Sequence, residues 1–420
     1  MTAILFLILL FAAVPISIVL ALTAITYIWQ SGNTVLFESF AQQMFSGTEN
    51  YGLLAIPLFM LTGELMNEGG MTKRLINAAR VFVGGFRGGL VWINLLANMM
   101  MAAIIGSAVS QIAVMSRAMV PAMEREGYDR GFAAATTAAG GLLAPVIPPS
   151  MLFVIYGVLA QIPIGDMFLA GILPGLLMAG SFFVVVTLIG LSANFPRGDW
   201  MTPRAALNAL VQCLPAALIP MAIIGGIIYG FATPTESAAV ASLIAFLVGW
   251  LVYRELKPGD LAALFLRTAQ NSAMVIFMVA AANVFGWVVI YEAIPQKLAA
   301  LIISVTSDPF FFLLIVMGIL LLVGMLIDGI AALILVTPIL LPIAMNSYGI
   351  SPFQFGVVIS INLALGLLTP PVGVGLYIAA SMSDVKPTAI FRALWPFLLA
   401  VVLVLLVVCY VPWLSLVLID

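Results

Sequence analysis

The sequence contains no histidine, only two cysteines, and few charges: 8% of its 420 residues, with 15 Lys and Arg against 17 Asp and Glu. Each shortage removes a class of function. Without histidine there is no imidazole base, no His-ligated metal and no Ser-His-Asp triad. Cys213 and Cys409 stand far apart in apolar runs, so neither a disulfide framework nor a zinc site is expected. A soluble domain carries about 25% charged residues, and a water-facing surface cannot be assembled from this stock. No basic tract marks a nucleic-acid partner, and no GxxxxGK[ST] loop marks ATP as an energy source.

Hydrophobic residues, by contrast, make up 64% of the chain, and the mean hydropathy is +1.23. The expected class is an all-α polytopic membrane protein whose main surroundings are the lipid bilayer. Residues Ala3 to Trp29 are apolar for too long to be a cleavable signal, with no basic stretch before them and no small-residue site after. Further runs able to cross about 30 Å of hydrocarbon lie at 51–68, 131–160, 165–193, 205–230, 234–254, 271–291, 351–380 and 387–418. Two more, 90–124 and 309–345, are interrupted at Gly106-Ser107-Ala108-Val109-Ser110 and at Asp328-Gly329. Their halves, about 15 residues each, are too short to span, so each run is expected to be a re-entrant helical hairpin.

Counting hairpins as zero crossings leaves nine spans, and the charges agree with that count. Fourteen of the fifteen basic residues then share one side, and Lys297 alone lies on the other. The positive-inside rule places the N-terminus in the cytoplasm and the C-terminus outside. The first hairpin enters from the cytoplasm and the second from the periplasm.

Prolines repeat at a shift of 221 to 222 residues: Pro121 with Pro342, Pro148-Pro149 with Pro370-Pro371, Pro174 with Pro396. Five crossings separate the two copies, so the second is inverted. The division expected is an N-terminal span and interfacial arm (1–50), a first repeat (51–193), two connecting spans (194–270) and a second repeat (271–420). Inverted repeats with broken helices are the layout of secondary transporters, with the site between the copies.

The breaks carry the chemistry. In 131–160 the chain reads AGGLLAPVIPPS (139–150), and in 351–380 it reads NLALGLLTPPVG (362–373). Proline removes a donor and frees carbonyls, which at membrane depth are tolerated only inside protein or along a cavity. Freed carbonyls plus the tip hydroxyls of Ser107 and Ser110 form an oxygen-only set suited to Na⁺, and inward helix N-termini favour an anion. Asp328 lies mid-run, where a carboxylate is a functional candidate; capping the next helix is the other reading. Glu236, in Thr233-Pro234-Thr235-Glu236, reads as a cap, and Glu64 sits near a span end. Residues 34–46 and 71–88 read as amphipathic interfacial segments.

Several stretches together resemble the large membrane subunit of tripartite ATP-independent periplasmic (TRAP) transporters: IPLFMLTGELM (56–66), GSA (106–108), MVPAMEREGYDRGFAAA (119–135), APVIPPS (144–150), YGFATPTESAAVA (229–241), DGIAALILVTPILLPIA (328–344) and GLLTPPVGVGLY (366–377). The resemblance covers nearly the whole chain. It implies an elevator-type, Na⁺-driven symporter subunit, not an enzyme. It would work with a small four-helix membrane subunit and a periplasmic binding protein that delivers an organic acid. It further implies one Na⁺ site at Ser107, Ala108, Gly140 and Gly141, and another at Asp328, Gly329, Gly366 and Thr369. Ser107, Ser150, Arg117 and Thr369 become the candidate substrate contacts. Gln111 stands where the family pattern commonly has an acid, and Arg117 where it has a small residue; Arg117 either reads a substrate carboxylate or snorkels to the interface. A stand-alone Na⁺/dicarboxylate symporter or exchanger, and a membrane-embedded enzyme acting on lipid, are the alternatives.

Overall fold

The computed structural model describes residues 2–419 apart from 13, 33–34, 193–194 and 197. Among the described residues there are helices and loops and no strand. Seven helices among the described residues are long and apolar enough to cross a bilayer: Ile164–Leu191, Pro203–Ile228, Pro234–Val252, Pro258–Tyr291, Pro309–Leu326, Gly329–Tyr348 and Pro387–Tyr410. Leu191, Leu207, Met221 and Leu322 each expose more than half of their surface. Such a contiguous apolar exterior would aggregate in water and is satisfied in lipid. The chain is an all-α, multi-pass membrane protein.

Proline sets where many helices begin. Pro203, Pro234, Pro258, Pro309, Pro352 and Pro387 each occupy a first turn, where a missing N–H costs nothing and φ is already helical. Glu236 completes a reciprocal capping box with Thr233, as its spacing predicts.

The two interrupted runs form helical hairpins. The first has arms Gly89–Ile105 and Ala108–Arg125, the second Pro309–Leu326 and Gly329–Tyr348. The runs at 131–160 and 351–380 are broken helices, Arg130–Gly141 with Met151–Ala160 and Pro352–Leu367 with Val374–Ser383. Each hairpin packs on the broken helix that follows it, and a long helix comes next in both cases. The broken helices form the centre: every residue from Gln354 to Leu367 is buried. Tyr156 of the first donates its hydroxyl to the Pro352 carbonyl of the second at 2.6 Å.

Helix Ala55–Glu68 packs on the first hairpin and the first broken helix, Pro234–Leu247 packs on Ala55–Glu68, and Pro203–Ile228 packs on Pro234–Leu247. Thr62 and Ser242 share a buried hydrogen bond of 2.8 Å there. Arg74 ties the same region together, 2.7 Å from Glu255 and stacked 3.7 Å from the Tyr253 ring centre. The expected interfacial segments are the helices Val35–Ser46 and Met71–Val83.

Three lengths differ from expectation. The run from Ala3 to Trp29 is two helices, Thr2–Phe11 and Ile16–Ser31; Pro15 stands between them in an extended conformation, because it cannot continue a helix. The run at 51–68 gives a 3₁₀ turn and then a helix of only 14 residues, Ala55–Glu68, about 21 Å at 1.5 Å per residue and too short to span alone. The hairpin arms are longer than expected, at 17, 18, 18 and 20 residues. Length therefore does not separate a hairpin from two crossings; where the tips lie is the better guide.

Candidate functional site where hairpin tips meet helix breaks

The first tip turns on Gly106, whose φ of +62° is left-handed. A Cβ there would also sit 2.9 Å from the Pro149 carbonyl oxygen, so both backbone and space demand glycine. The Gly106 carbonyl accepts from the Met151 N–H at 3.2 Å, fastening the tip to the far side of the first break. Ser107 then opens the helix Ala108–Arg125 in an extended conformation without using its side chain as a cap. Its hydroxyl is left for another partner, as are the first-turn N–H groups of that helix.

The second tip repeats this fastening. The Gly373 N–H, 222 residues after that of Met151, donates to the Met325 carbonyl at 3.1 Å. Asp328 caps Gly329–Tyr348, accepting from the Ile330 N–H at 3.0 Å through Oδ2. The capping reading of Asp328 is thus what the backbone shows, and its second carboxylate oxygen lies outside that bond.

The two tips meet. Gly106, Ser107, Ala108 and Val109 line a void of about 30 Å³ together with Asp328, Gly329 and Ile330, closed by Pro145, Met151, Leu152 and Leu367 from the two breaks. That volume suits one water or one small ion. Helix ends converge on it from both hairpins and both breaks, so unpaired carbonyls of C-terminal turns and unpaired N–H groups of N-terminal turns share one neighbourhood. Ser107, Asp328 and Ile330 also border a larger cleft of about 540 Å³, whose opposite wall is Met60, Gly63, Glu64 and Asn67 on one helix and Asn271, Met274, Val275 and Met278 on another.

The structure brings Ser107, Ala108, Asp328 and Gly329 to a common void, not to two separate sites. Gly140 and Gly141 do not line it. Gly140 offers its carbonyl to Gln111 Nε2 at 3.3 Å, and Gly141 packs against Ile112. Gln111 Nε2 also donates to the Asn98 carbonyl at 2.8 Å and to Asn98 Oδ1 at 3.0 Å, while Asn98 bonds Asn94 and Asn94 bonds Thr137. This chain of neutral amides joins the first hairpin to the first broken helix, and Gln111 Oε1 has no partner in it.

Gly366 lies flat against Gly324 of the second hairpin. Thr369, half-buried, donates its hydroxyl to the Leu365 carbonyl at 2.7 Å and keeps its oxygen lone pairs as acceptors. Ser150 is 1% exposed and engaged, donating to the Pro145 carbonyl at 2.6 Å and capping Phe153. Arg117 is exposed, against the Met382 sulfur at 3.1 Å. It is ten residues, about 15 Å along the helix, from Ser107.

Residues 3–414 match the description of the tripartite ATP-independent periplasmic transporter, DctM component. The chain belongs to this family. It is 36% identical over 410 residues to the sialic acid TRAP transporter large permease protein SiaM of Vibrio cholerae, covering 98% of this chain and 96% of that one. It is 35% identical to the C4-dicarboxylate TRAP transporter large permease protein DctM of Pseudomonas aeruginosa, over 90% of this chain and 88% of that one. Among solved structures, the Alcanivorax borkumensis YdaH transporter shares the fold with a TM-score of 0.65 at 15% identity, over 91% of this chain and 89% of that chain.

In this family member the cleft's far wall lies beyond what the sequence alone suggests: Glu64 reads only as a residue near a span end, and nothing local marks Asn67. Asn271 carries a signal, a polar residue inside the 34-residue apolar helix Pro258–Tyr291, where an amide is costly unless it meets water, ligand or a partner.

Proposed function

We propose that this large permease subunit carries out Na⁺-coupled import of an organic acid through the cleft beside the two tips. The observation that carries the reading is the convergence of Ser107, Asp328 and both helix breaks on one ion-sized void that borders a substrate-sized cleft. The donors fit a hard cation: a hydroxyl, a carboxylate and backbone carbonyls, all oxygen. Ser107, Ala108, Asp328 and Gly329 would hold one ion at the shared void, and any further ion would fall to the second break, at Gly366 and Thr369. When bound, Na⁺ would supply positive charge beside the tip residues Ser107 and Asp328.

The residues themselves do the rest. The first-turn N–H groups after Ser107 form an uncapped, positively polarised helix end that orients a carboxylate. Gly106–Met151 and Gly373–Met325 bonds keep each tip on its break. The hairpins and broken helices then move as one body against Ala55–Glu68 and the helices at 203–252, the elevator mode. The two stretches from 51–193 and 271–420 act as inverted repeats in the inner membrane, N-terminus cytoplasmic and C-terminus periplasmic. A small four-helix membrane subunit and a periplasmic binding protein complete the transporter, with no enzymatic step. The relatives' names describe permeases of sialic acid and of C4-dicarboxylates, which supports an organic acid as cargo.

Reconstitution in proteoliposomes tests this. Uptake is expected only with Na⁺, the small subunit and the binding protein together. Robust uptake by this chain alone would identify a stand-alone symporter, and uptake indifferent to Na⁺ would overturn the coupling.

A further inference from the structure

The two long helices that follow the broken helices, Ile164–Ser192 and Pro387–Tyr410, pack on each other and leave a groove of about 440 Å³ between them. Ser181 and Ala400, the smallest of its lining residues, keep the space open, and Leu188, Leu399 and Leu403, each more than half exposed, form its rim. Among the described residues its one polar lining side chain is that of Ser181, which donates to the Met178 carbonyl at 2.7 Å. Nothing in the groove is left to bond a polar ligand.

Depth and charge identify what fits. On the helix Pro387–Tyr410 the groove runs from Pro396 to Val407, about 16 Å at 1.5 Å per residue and close to half of a hydrocarbon core of about 30 Å. Arg392 stands four residues before Pro396, one turn further out on the same face. It is exposed and makes no ion pair among the described residues, whereas Arg130 is tied to Glu124 at 3.5 Å. Lys386, just before the first turn, adds a second cation on that side. Trp395 beside Arg392 is exposed, as are Tyr410 and Trp413 beyond the far end of the groove, and such rings collect at the two membrane interfaces. Arg392 therefore sits at headgroup level, and the groove covers the depth of one leaflet.

We propose that this groove binds an anionic phospholipid, with one acyl chain along Ser181 and Ala400 and its phosphate on Arg392. A partner's helix packed here would continue past Val407 to the opposite interface, whereas the groove ends after one leaflet. Basic residues beside a transmembrane helix attract anionic headgroups, and the choline of a zwitterionic lipid opposes that attraction. By the orientation proposed above the lipid belongs to the cytoplasmic leaflet; occupancy of the groove depends neither on that orientation nor on Na⁺ coupling.

The experiment is photo-crosslinking of the detergent-purified full chain, with and without its small membrane subunit, by phosphatidylglycerol and by phosphatidylcholine that carry a mid-chain diazirine. Phosphatidylglycerol should label the segments 177–189 and 396–407 at about fivefold lower concentration than phosphatidylcholine, the equivalent of about 1 kcal/mol for one basic residue. Arg392→Gln should remove that preference and keep the labelling. Ala400→Phe should abolish labelling of these segments by both lipids, and Ser181→Leu fills the groove from the other helix should Ala400→Phe melt lower. Arg125→Gln, at an exposed cation on the first hairpin, should leave the preference unchanged. Labelling spread evenly over the lipid-facing helices would overturn the site, and equal labelling by both lipids would overturn the headgroup contact. Labelling that disappears once the small subunit is present would show a partner's helix in the groove and overturn the lipid assignment.

Discussion

Gly366→Ala is the perturbation whose size is easiest to work out. A Cβ on Gly366 would lie 2.6 Å from the Gly324 carbonyl carbon and 2.7 Å from its Cα. Both are backbone atoms, so no side chain can swing aside. Ordinary contact begins near 3.4 Å, and the hairpin arm must therefore retreat by about 0.8 Å. Met325 is the next residue on that arm, and its carbonyl accepts from Gly373 at 3.1 Å. Retreat along that direction opens the bond to about 3.9 Å, past useful hydrogen-bond range. Overpacking of this kind costs about 1–3 kcal/mol, and Gly366 lies too near its helix end to regain much through helix propensity. Asp328, one turn beyond Gly324, is displaced with the arm. Gly318→Ala on the same arm is the control, since nothing lies within 4 Å of its Cβ position. The assay is uptake against Na⁺ concentration in liposomes with all partners, alongside thermal melting. Gly366→Ala should melt lower and need at least about tenfold more Na⁺, equivalent to 1.4 kcal/mol, while Gly318→Ala matches wild type. Wild-type Na⁺ dependence and melting in Gly366→Ala would refute both the close approach and its link to the ion.

Asp328→Asn keeps an acceptor for the Ile330 N–H, so the fold and melting should be retained while Na⁺-driven uptake collapses; retained uptake would leave Asp328 as a cap alone. Ser107→Ala removes one oxygen among several and should raise the half-saturating Na⁺ several-fold without preventing assembly, as measured by the same uptake curves. Ser150→Ala strips a cap and the bond to Pro145, so lower melting by about 1 kcal/mol is expected with little change in Na⁺ requirement; the reverse pattern would make Ser150 a ligand. Cysteines introduced beside Lys73 or Lys257 should react only with reagents that reach the cytoplasm, and one beside Lys297 only from outside. Labelling of both sets from one side would rule out inversion of the second repeat.

Much of this protein was legible in local signals. Scarcity of charge required a lipid environment, because no surface for water could be made. Proline marked helix starts and both breaks, since a missing N–H acts within one turn of where it stands. The interruption at Gly106 and the candidate cap at Asp328 could be read from residue type and neighbours alone. Tertiary structure decided what local signals cannot reach. Ser107 and Asp328, more than two hundred residues apart, line one void because the two hairpins approach tip to tip, and no spacing in the chain encodes that meeting. Gly140 and Gly141 serve packing and the Gln111 amide chain, because the side chains of the first hairpin fill the space beside them. Glu64, Asn67 and Asn271 share a cleft through the relative rotation of two separate helices. Which face a helix turns toward its neighbour depends on the summed packing of all of them, and that sum exists only in the folded chain.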